Sequence, residues 1–143
     1  MIKKVLYFDS GDGKSKIYAV QYIPAEEKIV GVIQIVYGMA EHIGRYEAFG
    51  EAMARKGFVV TGNDYQGHGK TWQEGDVMGY FCEQDPSAVM IEDVHTLHKL
   101  TAEAYPEVPY ILIGHSMGSF FARRFICEYG EALSGAIIMG TGC

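Results

Sequence analysis

Ser116 stands in Gly114-His115-Ser116-Met117-Gly118, the spacing G-x-S-x-G. A serine hydroxyl attacks carbonyl carbon usefully only when it is held clear of the chain beside groups that take its proton and stabilise the new oxyanion. That spacing suits a sharp strand-to-helix turn, with glycines where neighbouring backbone must approach and the serine at the apex. The 18 glycines and 6 serines of the 143 residues produce the pattern by chance about 0.09 times in such a chain, so spacing alone proves little. Its position carries more weight. The motif directly follows the apolar run Tyr110 to Ile113 and precedes Phe121, Ala122, Phe125 and Ile126 at helical spacing. At such a turn the Met117 N–H is the first expected oxyanion donor, helped by the positive end of the following helix. A second donor is expected from the loop Tyr37-Gly38-Met39-Ala40-Glu41-His42, where Gly38 lets the backbone turn and Met39 offers its N–H. The chemistry of this set is acyl transfer through a covalent intermediate on Ser116.

The remaining candidates are weaker. A base must come within about 2.6–3.2 Å of the serine hydroxyl. His115 adjoins Ser116 but is directed away at such a turn. His42 and His68 fall in loops near the top of the sheet. His95 and His98 lie three apart, a spacing that can hold a metal, but no carboxylate or cysteine pattern accompanies them; they are read as a partly solvated helix flank. Asp64 ends a strand, a position where a carboxylate can be catalytic. Gly13-Lys14-Ser15 and Gly69-Lys70-Thr71 mimic the end of a phosphate loop, but Phe8 and Asp64 occupy the place of its first glycine. No G-x-G-x-x-G follows a strand. Cys82, Cys127 and Cys143 are odd in number, widely spaced and read as reduced thiols. No metal or cofactor is expected.

The elements that must position Ser116 follow from the pattern of apolar residues. Leu6 to Phe8 and Ile17 to Ile23 flank Ser10-Gly11-Asp12-Gly13 and read as a hairpin. Ile29 to Val36 is nearly all apolar, as in a strand buried on both faces. Tyr46, Phe49 and Met53 mark a helix stopped at Arg55-Lys56-Gly57, and Phe58 to Thr61 is a short strand. Gly62 to Gly79 is a long loop. Asp85-Pro86 opens a helix whose stripe is Met90, Val94 and Leu97. Gly135 to Gly140 is a last apolar strand. Strands alternating with helices predict an α/β architecture, a mostly parallel sheet with helices on both faces and an antiparallel edge.

Composition bounds the partners. Hydrophobic residues make up 48% and charged residues 21%, an ordinary globular balance. A net charge of −6 argues against nucleic acid. No apolar run approaches the roughly 20 residues of a membrane span, and the start, MIKKVLYFDSGDGK, is too polar for a signal peptide. A cytoplasmic location is expected.

Three segments together resemble one family. Tyr37 to Tyr46 resembles the loop H-G-x-x-E-H-x-x-R-Y of the monoacylglycerol lipase and lysophospholipase branch of the α/β-hydrolases, related to the serine aminopeptidase S33 group. Asp64 to Thr71 resembles that branch's D-x-x-G-H-G-x-S, and Gly114 to Ser119 its nucleophile elbow. The segments fall in the family's order, and the resemblance covers the whole chain. Tyr37 stands where the family usually has His, and is expected to narrow or reshape the pocket floor; Thr71 stands where it usually has Ser.

The resemblance implies the α/β-hydrolase fold with strands one to six of eight. Residues 1–143 would be the N-terminal portion of one domain. It implies a serine hydrolase of carboxylic esters, lipid-like ones of monoacylglycerol or lysophospholipid type, with Ser116 as nucleophile and the Met39 and Met117 N–H groups as oxyanion hole. The triad acid and base, and a cap, would lie outside this chain, which alone would be inactive; the resemblance thereby implies structural roles for His42 and His68 and a loop-fixing hydrogen-bond role for Asp64. The strand Gly135 to Gly140 would then be an open apolar edge. Its expected occupants are the chain's own C-terminal half or a second copy, and without either the chain is expected to be poorly soluble. Two alternatives stand beside this reading: a non-catalytic half-domain that binds a partner through that edge, and a peptidase or thioesterase on the same fold.

Overall fold

A computed structural model describes residues 1–25 and 28–143. Six strands form one sheet: β1 (Ile2–Asp9), β2 (Lys16–Ile23), β3 (Gly31–Val36), β4 (Phe58–Asn63), β5 (Tyr110–His115) and β6 (Gly135–Met139). The helices are α1 (Glu47–Ala54), preceded by a 3-10 turn over Ile43–Tyr46, α2 (Pro86–Ala104) and α3 (Met117–Tyr129). The spatial order is β1-β2-β4-β3-β5-β6. The β1–β2 and β2–β4 pairs are antiparallel, and β4, β3, β5 and β6 run parallel. The α/β architecture with its antiparallel edge is thus as expected.

Helices cover both faces. On β2, Gly50 of α1 presses on the Tyr22 ring, while the neighbouring Gln21 donates to Thr101 Oγ1 of α2 at 3.1 Å. Successive strand residues point to opposite faces, so α1 and α2 lie on opposite sides. In α2 the expected Met90, Val94 and Leu97 are buried. Asp85 caps this helix by accepting the Ala88 N–H at 3.0 Å, and Pro86 occupies its first turn.

Several boundaries and faces differ from the sequence reading. β1 begins at Ile2, because its backbone pairs with β2 all the way from Ile2↔Ile23 to Asp9↔Lys16 even where its side chains are exposed. β3 begins at Gly31. α1 buries Gly50 and Ala54, and Phe49 is exposed. The helix approaches the sheet too closely for a large side chain: a Cβ at Gly50 would collide with the Tyr22 ring. Gln34 sits inside the apolar run of β3 yet is fully buried. Its amide donates to the Val94 carbonyl at 3.0 Å, and its oxygen accepts the Tyr110 hydroxyl at 2.6 Å. Both polar ends are satisfied, as burial requires.

Candidate active site

β5 ends at His115 and α3 begins at Met117, so Ser116 alone makes the turn. Its backbone is at φ 54°, ψ −122°, a region that costs a non-glycine residue about 1–3 kcal/mol. The neighbours hold it there. The Ser116 N–H donates to the Met139 carbonyl of β6 at 3.0 Å. Its carbonyl accepts the Ser119 N–H at 2.9 Å and the buried Ser119 hydroxyl at 2.5 Å. Ser116 itself is exposed.

The two flanking glycines are required by space. A Cβ at Gly114 would lie 2.5 Å from the Ala122 Cβ, and one at Gly118 would run into the carbonyl oxygens of Val36 and Tyr37. α3 therefore starts hard against the end of β3. As the first residue of α3, Met117 has an N–H with no place in the helix ladder, at the positive end of a 13-residue helix.

The loop after β3 reaches the same point. A Cβ at Gly38 would lie 3.1 Å from the Ser116 Cβ, so residues 38 and 116 are in van der Waals reach. The structure thereby brings together the loop carrying Met39, the helix start carrying Met117, and Ser116. Met39 is 70% exposed and lines a cleft of about 510 Å³ with Glu41, His42, His68, Trp72 and Met78.

Asp64 is buried beneath the site and ties loops together. Its Oδ1 accepts the Tyr37 hydroxyl at 3.0 Å and the Ile43 N–H at 2.7 Å, and its Oδ2 accepts the Lys70 N–H at 2.8 Å. This is the loop-fixing role expected for it. Thr71 supports the same loop: its hydroxyl donates to the Asp64 carbonyl at 2.7 Å and accepts the Tyr18 N–H at 2.9 Å.

Tyr37 corrects an expectation. It does not line the cleft beside Met39 but is fully buried. Its hydroxyl donates to Asp64 and accepts the Tyr65 N–H at 3.0 Å, while the Tyr65 hydroxyl donates back to the Tyr37 carbonyl at 2.8 Å. Burial, reinforced at Tyr37 by Asp64, pushes both phenols well above the usual value of 10, so both remain donors.

The histidines are dispersed. His115 Nδ1 faces Glu41 Oε2 at 3.4 Å. His68 turns Nδ1 to the Gln66 carbonyl at 2.9 Å and stacks on Phe81. His42 is exposed at the cleft. His98 is not a solvated flank residue: it is buried against Tyr110 and Phe125, and His95 stacks on Tyr129 with ring centroids 3.6 Å apart. α2 and α3 pack together there, which sequence spacing on α2 alone does not reveal. Burial lowers both imidazoles, so they stay neutral near pH 7. Among the described residues, no three His, Cys, Asp or Glu side chains converge as metal ligands. None of their helices is long and apolar enough to cross a membrane.

Sequence reasoning missed a second polar cluster. Asp93 on α2 is buried, and accepts the Ser10 hydroxyl and the Gly11 N–H, both at 2.8 Å. Gln66 donates to Asp12 at 2.6 Å. The β1–β2 turn is thereby fastened to α2 and to the loop after β4. No spacing rule links positions 10, 66 and 93; the only hint was a carboxylate beside the buried stripe of α2.

A strained serine between a parallel strand and a helix, with the β3 loop folded over it, defines an α/β-hydrolase. The sequence model of the family described as serine aminopeptidase, S33, matches residues 27–143, and the chain belongs to that family. Monoglyceride lipase of Rattus norvegicus is 32% identical over 108 residues, 76% of this chain and 34% of the relative. Monoacylglycerol lipase of Mycolicibacterium smegmatis is 29% identical over 110 residues, 77% of this chain and 37% of the relative. A thermostable carboxyl esterase of Bacillus coagulans, solved with glycerol, superposes with a TM-score of 0.87 at 39% identity, covering 95% of this chain and 43% of that one. The matches thus span about a third of the length of these curated relatives.

Proposed function

We propose that this chain carries the nucleophile and oxyanion hole of a serine hydrolase acting on carboxylic esters with lipid-like acyl groups. The observation that carries the reading is the backbone of Ser116, held at φ 54° beside the Gly38-Met39 loop and the start of α3. Ser116 Oγ attacks the ester carbonyl. The Met39 and Met117 N–H groups receive the oxyanion, the alcohol leaves, and water then releases the acyl group from the serine. The cleft beside Met39, Trp72 and Met78 suits an apolar acyl group. The names of the two lipase relatives support an ester over a peptide.

The base and its carboxylate partner are assigned to residues outside 1–143. Among the described residues, no imidazole nitrogen is hydrogen-bonded to the Ser116 hydroxyl; His115 and His68 are turned to other partners. The outer strand β6, with Ile137 and Met139 about half exposed, is the edge along which the segment bearing them, or a second copy, would pair.

In the intact protein, Ser116 should be labelled by an alkyl fluorophosphonate, and monoacylglycerol hydrolysis should vanish in Ser116→Ala. Hydrolysis retained in that variant, or labelling at another residue, overturns the assignment. Cleavage of an aminoacyl peptide in preference to the ester would replace the substrate class and keep the nucleophile.

A further inference from the structure

The oxyanion loop is not self-supporting. Ala40 lies at φ 58°, in the left-handed region that costs an L-residue about 1–2 kcal/mol. The Gly38 N–H, one residue before the proposed donor of Met39, is held by Glu41: it donates to Oε2 at 2.7 Å. That oxygen also lies 3.4 Å from Nδ1 of His115, the residue before Ser116. One carboxylate oxygen therefore lies against Gly38, the residue before Met39, and against His115, the residue before Ser116. The other oxygen, Oε1, pairs with Arg45 at 3.0 Å, which fixes the carboxylate from outside.

The geometry leaves little slack. The Glu41 side chain is only 13% exposed, against 60% for Arg45. A Cβ at Gly38 would lie 2.8 Å from Glu41 Oε2 and 3.1 Å from the Ser116 Cβ, so carboxylate, glycine and nucleophile are in contact. Exposed ion pairs such as Arg124–Glu128 contribute little. A half-sheltered carboxylate accepting a backbone N–H makes a stronger, charge-assisted bond.

We propose that Glu41 is a positioning residue of the oxyanion hole: by holding Gly38 and His115 on one oxygen, its carboxylate sets the separation of the Met39 and Met117 N–H donors. The inference rests on Ser116 being the nucleophile. Losing an oxyanion donor outright costs about 10²–10³ in kcat. A donor left in place but displaced costs less, so Glu41→Ala should lower kcat by about 10- to 100-fold.

The test is ester hydrolysis by the intact protein, with wild type, Ser116→Ala, Glu41→Ala and Glu41→Gln side by side. In Glu41→Ala, kcat should fall as stated while KM moves less than about threefold. Affinity for an alkylboronic acid, whose tetrahedral adduct places an oxygen in the hole, should fall in step with kcat/KM. Glu41→Gln keeps an oxygen that accepts the Gly38 N–H and should stay within about fivefold of wild type. If Glu41→Ala does not fold, Glu41→Asp, one methylene too short to reach both Gly38 and His115, should show the same loss. Turnover in Glu41→Ala within twofold of wild type overturns the proposal. So does a loss carried by KM with unchanged boronate affinity. Wild type without Ser116-dependent turnover removes the nucleophile and the role of Glu41 together, and the Ser116→Ala control separates that failure from the others.

Discussion

Tyr37→Phe removes one oxygen atom from a buried ring, and the structure says what that atom does. The hydroxyl donates to Asp64 Oδ1 and accepts the Tyr65 N–H, each at 3.0 Å. Without it the Tyr65 N–H has no partner in a region where Tyr37, Asp64 and Tyr65 are all at most 1% exposed. Asp64 Oδ1 keeps only the Ile43 N–H. A buried donor left unsatisfied costs about 1–3 kcal/mol, and a lost bond to a carboxylate about 1.5–3 kcal/mol. The two effects share one site and will not add in full, so the expected loss is about 2–4 kcal/mol. Equilibrium urea unfolding reads it directly. With a slope of about 2 kcal/mol per molar, the midpoint should fall by about 1–2 M at unchanged slope. Tyr37→His should lose about as much, since the imidazole ends short of both partners. A midpoint for the Tyr37→Phe variant within about 0.2 M of wild type would refute the claim that this hydroxyl ties together the loops beneath the site.

The other perturbations test separate features. Gly118→Ala would drive a methyl group into the Val36 and Tyr37 carbonyls, and should cost about 3 kcal/mol or more because backbone cannot step aside; a melting temperature within a degree or two of wild type would contradict it. Burial, ahead of the opposing bonds from Gly11 and Ser10, raises Asp93 from the usual 3.8 to about 6. The folded chain then binds more protons than the unfolded one between about pH 4 and 6, so this group's contribution to stability falls as pH rises through that window, by about 3 kcal/mol at most. In Asp93→Asn the urea midpoint should lose that slope, and an unchanged slope would assign it elsewhere. Asp12 acts in a different window: burial pushes it up, but the bonds from Ser15 and Lys14 outweigh that and lower it below 3.8. Its contribution is lost only as pH falls further.

What could be read from the sequence was local. The strand–turn–helix around Ser116 was legible because an apolar run, two glycines and a helical stripe are adjacent in the chain. So were the Asp85 cap and the buried stripe of α2, which a 3.6-residue period encodes directly. The strained backbone of Ser116 followed from the same motif. Features that depend on register were not legible. The Met139 carbonyl reaches the Ser116 N–H only because His115 lies opposite Met139 in the β5–β6 pair. Gln34 looked out of place in an apolar strand, and its two partners lie 60 and 76 residues away. Tyr37 was expected to reshape the pocket floor because it stands in place of the family's His, just before the loop of the proposed donor. Strand alternation turns it the other way at the end of β3, where Asp64 and Tyr65 await it.

The Ser116 turn, unlike the loops around it, is held mainly by backbone contacts, and this bears on how the nucleophile is restrained. Ser116 sits in a costly conformation, and its N–H and C=O are each fixed by main chain, one by β6 and one by the first turn of α3. β6 is the outer strand of the sheet, with Ile137 and Met139 half exposed. The strand that restrains the nucleophile is therefore bound along one side only. A strand paired along both edges frays less than one paired along a single edge. Whatever lies along β6 should steady the Met139 carbonyl and, through it, the Ser116 turn. Amide exchange at Ser116 should slow when that edge is covered, while exchange at Leu112, in the middle of β5 and paired on both sides, should not change. Equal slowing at both positions would mean that the cover acts on the whole sheet and not on the turn.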